Sequence, residues 1–409
     1  MRHIYTSIDI GSDTIKVAVC ELFNNKLNLL AACSTKSNGI KKGLITDVYE
    51  AGESVKKAIS EIEEMLGINI KKVITTVPSY FATFNLREEI ISFEDQKTID
   101  GSDISQLLDI VSTKKSSNEK EIVTILPIDF EANGEKVIDP KGKISKYLKI
   151  RAVVVETPKK NIYSVVSLLE NIGLEVVDIS LGSIGDMNSY RTKDLCSKIG
   201  AIINVGYETT TISLYNKAIL VRSSTIAMGG KNIDNDISYI YKTSLDEARK
   251  IKEKFALAHK KFADINEIYD ATDKNGDIVK INQFEVSEIA MSRIEEILVL
   301  ARKEINLLTK RNVDYIIITG GTSSMNNFSI ISQDILGDIS SVGKIRMLGV
   351  RNNKYSSVIG NIVYFINKLK LKGKEYTMID EEDEQQLIIS KSTANESMLS
   401  KVFGYFFNE

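Results

Sequence analysis

Alternating apolar and polar residues mark the start of the chain and predict short strands. Period-two runs over Tyr5–Val19 and Leu27–Cys33 predict an opening meander, because successive side chains of a strand point to opposite faces of a sheet. Helical spacing then covers Val48–Leu66, and Gly67 is expected to end that helix. A strand is predicted over Lys72–Val77. These elements predict the first part of an α/β core.

The pattern changes over residues 84–157, which we interpret as a small subdomain inserted into the first core. Strand-like runs at Leu86–Phe93, Ile122–Glu131 and Leu148–Glu156 surround a helix predicted near Gly101–Ser112. The helices and strands after the insertion are expected to complete the first core and to build a second one. They are Lys160–Ile172, Leu174–Ser180, Gly185–Cys196, Leu245–Phe262, Val286–Lys310 and Val313–Thr319.

The stretch Asp273–Glu285 looks like a calcium-binding loop, but its spacing argues against one. Counted from Asp273, the glycine required at position six is Ile278, and the glutamate required at position twelve is Phe284. A hairpin that turns at Asn275 and Gly276 is the better prediction, since this dipeptide favours two-residue turns.

One short pattern occurs twice, once in each half of the chain. The segments SIDIGSDTIKV (Ser7–Val17) and IINVGYETTTI (Ile202–Ile212) align without gaps. Glycine beside serine or threonine lets backbone N–H groups and small hydroxyls approach an anion closely. We therefore predict two strand–turn–strand units that grip a polyphosphate between them. The aligned pairs are Asp9 with Asn204, Gly11 with Gly206, Asp13 with Glu208 and Thr14 with Thr209.

Composition excludes several other kinds of protein. The 409 residues are enough for two cores, and a net charge of −2 provides no overall field for nucleic acid. No apolar run reaches the roughly 18 residues that a membrane span needs, so we expect a cytosolic body. Three cysteines without C-x-x-C spacing and two histidines argue against a zinc site, a disulfide framework or a Ser–His or Cys–His nucleophile.

The last residues, SMLSKVFGYFFNE, form one wide apolar stripe if they are helical. We predict that this helix lies in a membrane interface, with packing on the protein's own surface as the alternative. Only Lys401 is basic there, so binding would depend on phenylalanine insertion and on many copies acting together. The stripe consists of Met398, Leu399, Val402, Phe403, Phe406 and Phe407.

The order of these motifs resembles the superfamily of actin, DnaK-type chaperones and sugar kinases, and most of all the bacterial FtsA family. SIDIGSDTIKVAV is followed by IINVGYETTTISLY, IAMGGKNIDNDIS, YIIITGGTSSM and SSVIGNIVYF. The loop SNGIKKGLITDV at Ser37–Val48, the insertion and the apolar C-terminus each resemble features of FtsA.

The resemblance implies an actin-like bilobed α/β fold of two RNase H-like lobes, with an FtsA-type inserted subdomain (1C) and a C-terminal amphipathic helix. The implied divisions are the first-lobe core over 1–83 and 159–198, the insertion over 84–158, the second-lobe core over 199–230, its small subdomain over 231–310, the second-lobe core with the return to the first lobe over 311–372, a flexible linker over 373–396 and the membrane helix over 397–409.

The resemblance also implies a site for ATP and magnesium (Mg2+) between the lobes. Asp9 is expected to order the metal through water, Lys16 to neutralise phosphate, and Lys252 to lie beside the nucleoside. Taken singly, each glycine or threonine could be only a turn former. The remaining expected contacts are Gly11, Ser12, Asp13 and Thr14 in the first lobe, and Asn204, Gly206, Thr209, Thr210, Gly229, Gly230, Gly320, Gly321 and Thr322 in the second.

Several residues depart from the family pattern. Asn204 replaces an aspartate, Tyr207 and Glu208 replace glycines, and Arg249 replaces a glutamate. The nearest acid that could orient an attacking water is Asp186, so we expect ATP binding with slow or absent hydrolysis.

The family implies a scaffold that polymerises and tethers the division ring of the tubulin-like FtsZ to the cytoplasmic face of the cell membrane. The expected partners are the C-terminal tail of FtsZ, further copies of this chain, membrane lipid and later division proteins. The alternatives are a PilM-like pilus-assembly adaptor and, less favoured, an ATP-dependent kinase or chaperone ATPase.

Overall fold

The computed structural model describes residues 2–350 and 352–387, and the amphipathic helix predicted at 397–409 lies outside them. Its strands are β1 His3–Ile10, β2 Thr14–Phe23, β3 Lys26–Lys36, β4 Ile40–Lys41, β5 Leu44–Ile45, β6 Lys72–Val77, β7 Thr83–Thr98, β8 Lys120–Ala132, β9 Glu135–Val137, β10 Ile144–Pro158, β11 Glu175–Leu181, β12 Ile199–Val205, β13 Thr210–Asn216, β14 Ile219–Ile226, β15 Ile268–Thr272, β16 Ile278–Asn282, β17 Tyr315–Thr319 and β18 Ser340–Val342. Its α-helices are α1 Val48–Leu66, α2 Gly101–Thr113, α3 Lys159–Asn171, α4 Gly182–Tyr190, α5 Gly230–Tyr241, α6 Leu245–Lys254, α7 Gln283–Leu308, α8 Phe328–Leu336 and α9 Ser356–Leu371.

The first lobe is built on a five-stranded sheet in the order β11-β6-β1-β2-β3. Strand β1 runs antiparallel to β2 and parallel to β6. One sheet face packs under α1 and α3 around Ile8, Ile15 and Val55. The other face packs under α9 around Tyr5 and Ile74. With both faces covered, the strands are largely buried, as expected of a layered α/β domain.

The second lobe repeats this sheet. Its order is β14-β13-β12-β17-β18, with β12 antiparallel to β13 and parallel to β17. Strand β12 therefore occupies the place of β1, and β17 occupies the place of β6. The apolar core around Ile203, Ile212 and Ile318 packs against α5, α7 and α8. The bilobed α/β fold predicted from the sequence is thus confirmed.

The inserted segment forms its own layer between β6 and α3. Its sheet has the order β7-β10-β8-β9, and α2 packs on it around Ile104, Leu107 and Phe130. A buried hydrogen bond of 2.6 Å between the hydroxyls of Thr124 and Tyr364 joins this sheet to α9 of the first lobe.

Two predicted helices differ most from the structure in their bounds. The prediction over Leu245–Phe262 is too long, because α6 ends at Lys254, where Phe255 and Ala256 both donate backbone hydrogen bonds to the Ile251 carbonyl. The helix predicted over Gly185–Cys196 begins earlier and ends earlier, as α4. The hairpin of β15 and β16 confirms the turn prediction, and Gly276 adopts a φ of 92° there.

The start of the predicted flexible linker packs on the first lobe, which corrects that expectation for residues 373–387. Met378 is 3% exposed, and its backbone N–H donates to the Ile4 carbonyl over 2.9 Å. Lys71 and Asp380 pair at 2.7 Å, and residues 381–387 are helical. The apolar side chains of Met378 and Ile379 are buried, and this burial stabilises the packing of the segment on the first lobe. Within the described residues, no helix is both long and apolar enough to cross a membrane.

Candidate functional site

A cavity of about 530 Å3 separates the two lobes, and both duplicated hairpin turns face it. The ends of β1 and β6 line it from the first lobe, and the ends of β12 and β17 line it from the second. This volume falls within the range of roughly 300–1,000 Å3 that is usual for small-ligand sites.

The first turn is closed by a hydrogen bond of 3.2 Å from the Gly11 N–H to the Thr14 carbonyl. A Cβ at Gly11 would lie 2.8 Å from both the Thr14 carbonyl and the Lys16 Nζ, so the lysine could not fold over the turn. Lys16 pairs with Asp9 at 3.1 Å, and the Thr76 hydroxyl donates to the other Asp9 oxygen over 2.8 Å. A carboxylate and an ammonium group are thereby held together at the end of β1.

The second turn repeats the first, because the Gly206 N–H donates to the Thr209 carbonyl over 3.0 Å. The Gly206 carbonyl in turn accepts from the Gly230 N–H at 2.9 Å and from the Thr322 hydroxyl at 3.1 Å. The turn after β17 therefore meets the second hairpin. Gly320 has a φ of 91°, and a Cβ there would come within 2.4 Å of the Val205 carbonyl, so this contact requires glycine.

Asn204, which stands opposite Asp9 in the alignment, is held by an acid from another element. Its Nδ2 donates to Asp186 over 2.8 Å, and the hydroxyls of Ser356 and Ser357 donate to the other Asp186 oxygen over 2.6 and 2.8 Å. Burial, with a contribution from Asp9, raises the pKa of Asp186 to about 6. Because both carboxylate oxygens already accept hydrogen bonds, Asp186 serves to orient Asn204.

Lys252 lies on the cavity wall, and its ammonium group forms an ion pair with a neighbouring carboxylate. Its Nζ lies 2.7 Å from Asp234 and donates to the Gly230 carbonyl over 3.2 Å. Both side chains are almost fully buried. Burial raises the pKa of Asp234, and the Lys252 ammonium opposes that rise. The pair supports α5 and α6 beneath the cavity floor.

The ammonium groups of Lys16 and Lys354 both line the cavity. Burial and the neighbouring Lys16 lower the pKa of Lys354 below its ordinary value of 10.5. An anionic ligand between Lys16 and Lys354 would relieve this repulsion, as a phosphate chain does in nucleotide sites. Among the described residues, no group of three or more His, Cys, Asp or Glu could enclose a metal. A magnesium ion that keeps its waters and is shared with phosphates fits the Asp9 carboxylate without such a cage.

The structure brings most of the predicted site residues to the cavity. Thr210, Gly229 and Gly230 are not on its wall, which corrects the contacts expected for them. Thr210 is fully buried, and its hydroxyl donates to the Met228 carbonyl over 2.8 Å. Its side chain lies on the same face of β13 as Ile212, which belongs to the core of the second lobe. The predicted residues on the wall are Asp9, Gly11, Ser12, Asp13, Thr14, Lys16, Asn204, Gly206, Thr209, Lys252, Gly320, Gly321 and Thr322.

The wall residues that sequence reasoning overlooked include Thr76, Lys42 and Lys354. Thr76 could have been found, because β6 was predicted and parallel neighbours end at the same edge of a sheet. Lys42 lies on the short hairpin of β4 and β5, and Lys354 lies just before α9. No local pattern marked either lysine as facing the cavity.

Comparison with known proteins gives one consistent family. The family described as cell division protein FtsA matches residues 201–360. The FtsA of Bacillus subtilis (strain 168) is 26% identical over 401 residues, which cover 96% of this chain and 90% of that protein. The FtsA of Staphylococcus epidermidis (strain RP62A) is 28% identical over 88% of this chain and 78% of that protein.

Solved structures share the fold at low identity. The PilM–PilN type IV pilus biogenesis complex superposes with a TM-score of 0.59 at 12% identity, covering 88% of this chain and 98% of that one. MreB5 of Spiroplasma citri bound to ADP gives a TM-score of 0.54 at 13% identity, covering 90% of this chain and 98% of that one. Together with the repeated sheet and the shared cavity, these matches show an actin-like fold and a sequence that is similar to the FtsA cell-division proteins over most of its length.

Proposed function

We propose that the protein is an ATP-binding, actin-like scaffold that polymerises, attaches the FtsZ division ring to the cytoplasmic face of the membrane and helps recruit later division proteins. The observation that carries the nucleotide part is the pair of matching turns, closed by Gly11 with Thr14 and by Gly206 with Thr209, on opposite walls of one cavity. The relatives that share most of the sequence are division proteins, which supports the cellular role.

In this proposal Mg2+ and ATP occupy the cavity between the lobes. Asp9 would hold the metal through water, Lys16 would neutralise phosphate oxygens, and the N–H groups of the first turn would donate to them. The metal would supply charge neutralisation of the phosphates. Hydrolysis is expected to be slow, because the Asp186 oxygens are occupied by Asn204, Ser356 and Ser357.

The nucleotide part is tested by titration calorimetry of the full chain with MgATP. Lys16→Met should weaken binding at least tenfold, because it removes the ammonium beside Asp9. Lys149→Met is the matched control, since Lys149 pairs with Glu88 in the insertion, away from the cavity. Unchanged affinity in Lys16→Met would contradict the assigned site. Phosphate release at actin-like rates would contradict the expected slow turnover.

The small subdomain of the second lobe offers a surface for the FtsZ tail. A groove of about 360 Å3 lies between α5 and α7 and is lined by Tyr239, Ile240, Ile289 and Arg293, among others. Tyr239 is 86% exposed and Ile240 is 52% exposed, so apolar surface is available beside a guanidinium group. The guanidinium of Arg293 is already paired with Asp236 and Glu296, so the groove would bind a short peptide chiefly through apolar side chains.

Fluorescence anisotropy with a labelled FtsZ tail peptide tests this surface. Tyr239→Ala should weaken binding about tenfold or more, as expected for a central aromatic contact. Tyr163→Ala on α3 is the control, because Tyr163 is an exposed tyrosine that lies on the first lobe. Equal losses in both variants, or no binding by the unmodified protein, would count against the groove.

The predicted division of the chain into subdomains belongs to this proposal, with the insertion as one polymer face and residues 397–409 as the membrane anchor. Pelleting with lipid vesicles, with and without ATP and with and without the residues after Ser397, tests polymer and anchor together. Vesicle binding should require the tail. A truncated chain that still pelleted with lipid would remove the anchor from the proposal and would favour an adaptor role.

A further inference from the structure

Asp13 of the first lobe and Arg249 of the second face each other across the mouth of the cavity. The Arg249 guanidinium contacts both carboxylate oxygens of Asp13, and the Nη2 to Oδ2 distance is 2.8 Å. The two residues lie 236 positions apart, on the turn after β1 and on α6. Two-pronged arginine–carboxylate contacts are among the strongest polar contacts between side chains, because both hydrogen bonds carry charge.

Arg249 is held in this position from its own lobe. Its Nε donates to Glu253, one helical turn further along α6, over 2.8 Å. The ring of Tyr207 lies beneath it, with 5.5 Å between the ring centroid and the guanidinium carbon. Stacking on an aromatic ring and pairing with a second acid both limit the rotamers of a long side chain. The guanidinium is therefore preorganised to meet Asp13.

A second contact crosses the cavity beside the first. Glu208 accepts a hydrogen bond of 2.6 Å from the backbone N–H of Lys42, on the hairpin of β4 and β5 in the first lobe. The other Glu208 oxygen is held by Lys231 of its own lobe, also at 2.6 Å. Only 12% of the Glu208 side chain is exposed, so solvent weakens this contact less than it would on an open surface.

Three residues that depart from the family pattern take part in these interlobe contacts. Arg249 pairs across the cavity, Tyr207 supports Arg249, and Glu208 binds the opposite hairpin. A further pair, Lys36 with Asp246, spans the lobes at 4.0 Å, but both side chains are more than two-thirds exposed. Such an open, distant pair contributes little.

We propose that Arg249, Asp13, Glu208 and the Lys42 backbone form an interlobe latch that closes the cavity in the absence of nucleotide. Closure in most two-lobed clefts depends on a ligand that contacts both walls. Here the chain's own charges make the bridge, so nucleotide exchange requires the latch to open. The latch itself is independent of the proposed function, and only its effect on exchange rests on ATP binding.

The latch also changes what the first turn presents to a phosphate. Asp13 beside a polyphosphate would repel it, because like charges at short range are unfavourable. The Arg249 guanidinium neutralises that carboxylate while the latch is closed. Loss of Arg249 should therefore both open the cavity and lower its preference for anions.

The test measures the distance between the lobes in the full chain without nucleotide. Spin labels are placed on Lys57→Cys of α1 and Lys303→Cys of α7, which are both exposed, in a Cys196→Ser background. Cys20 and Cys33 are buried and stay unlabelled. Pulsed electron paramagnetic resonance should give one narrow distance distribution for the unmodified latch. Arg249→Ala and Asp13→Asn should each broaden it and shift it, and the double variant should add little further change.

Arg151→Ala is the matched control, because Arg151 pairs with Asp129 inside the insertion and bridges no lobes. Asp13→Asn keeps the size of the side chain, and circular dichroism confirms that each variant is folded. The proposal fails if the latch variants give the same distance distribution as the control variant. It also fails if the distance distribution of the unmodified protein stays broad until nucleotide is added.

A second readout is the dissociation rate of a fluorescent ATP analogue, which should rise about tenfold in Arg249→Ala. An unchanged rate in a variant with opened lobes would refute the role in exchange. If the unmodified protein bound no nucleotide, the proposed function would fail while the distance measurement would still decide the latch.

Discussion

Replacing Gly360 with alanine should destabilise the protein at the point where α4 and α9 cross. The Cβ of an alanine at Gly360 would lie 1.7 Å from the Gly185 carbonyl oxygen, and one at Gly185 would lie 2.2 Å from the Ser357 carbonyl oxygen. Ordinary contact begins near 3.4 Å, so the helices would have to separate by 3.4 − 1.7 = 1.7 Å. The crossing depends on two glycines whose backbones touch.

The size of the effect follows from what that separation breaks. Overpacking a buried contact costs about 1–3 kcal/mol. The same movement would strain the Ser189 hydrogen bond to the Ser356 carbonyl and the serine hydrogen bonds to Asp186, each contributing about 1 kcal/mol. Alanine gains about 1 kcal/mol over glycine as a helix former. We expect Gly360→Ala to lower the free energy of unfolding by about 2–4 kcal/mol, combining these contributions.

Gly52→Ala on α1 is the matched control with the opposite sign. A Cβ at Gly52 would lie 3.5 Å from Ile172 and 3.7 Å from Leu168, which is ordinary contact. The only expected effect is then the higher helix propensity of alanine, so the free energy of unfolding should rise by about 0.5–1 kcal/mol. Urea denaturation followed by circular dichroism measures both. Equal stability changes in Gly52→Ala and Gly360→Ala, or a stabilised Gly360→Ala, would refute the reasoning from close approach.

Three further predictions concern charged groups around the cavity. Asn204→Asp would put a second carboxylate against Asp186, so without metal the free energy of unfolding should fall by about 1–3 kcal/mol, measured in urea, and MgATP should restore part of it. Lys252→Met leaves Asp234 buried without its counter-ion and should cost about 3–5 kcal/mol, while adding Asp234→Asn should recover most of that loss in the same assay. Burial by itself would raise the pKa of Glu208, but hydrogen bonds from an ammonium group and a backbone N–H outweigh it and lower the pKa below its ordinary 4.5. Its ionised bridge is therefore fully present above pH 4.5 and is lost as the pH falls through the lowered value. Asp186, whose pKa is about 6, also contacts the second lobe through Asn204, so the Glu208 contribution is measured as the difference in interlobe distance between the unmodified protein and Glu208→Gln. That difference should stay constant from pH 5 to 8 and disappear only in stronger acid, and its loss near neutral pH would contradict this assignment.

Local pattern was enough for much of the fold. The helix Val48–Leu66 was predicted to its ends, because Asp47 accepts a hydrogen bond from the first turn and Gly67 adopts a φ of 70° after the last. The helix after Ser244 was predicted too long, since its end depends on a loop tied to other elements. There the Leu257 N–H donates to the Ser287 hydroxyl, which no pattern within the helix reveals.

The sequence by itself determined the duplicated hairpins and the α/β class, because strand alternation and the spacing of glycine, serine and threonine are local properties of the chain. It could not show that Asp186 holds Asn204, or that Arg249 reaches Asp13 from 236 positions away. Those contacts depend on how the two lobes and their helices pack. Only the tertiary structure decides them, because the side chains that meet across a cavity are chosen by the packing of distant elements and not by their neighbours in sequence. Tyr207, Glu208 and Arg249 look like losses from a nucleotide site when read along the chain, and in the folded protein they connect its two halves.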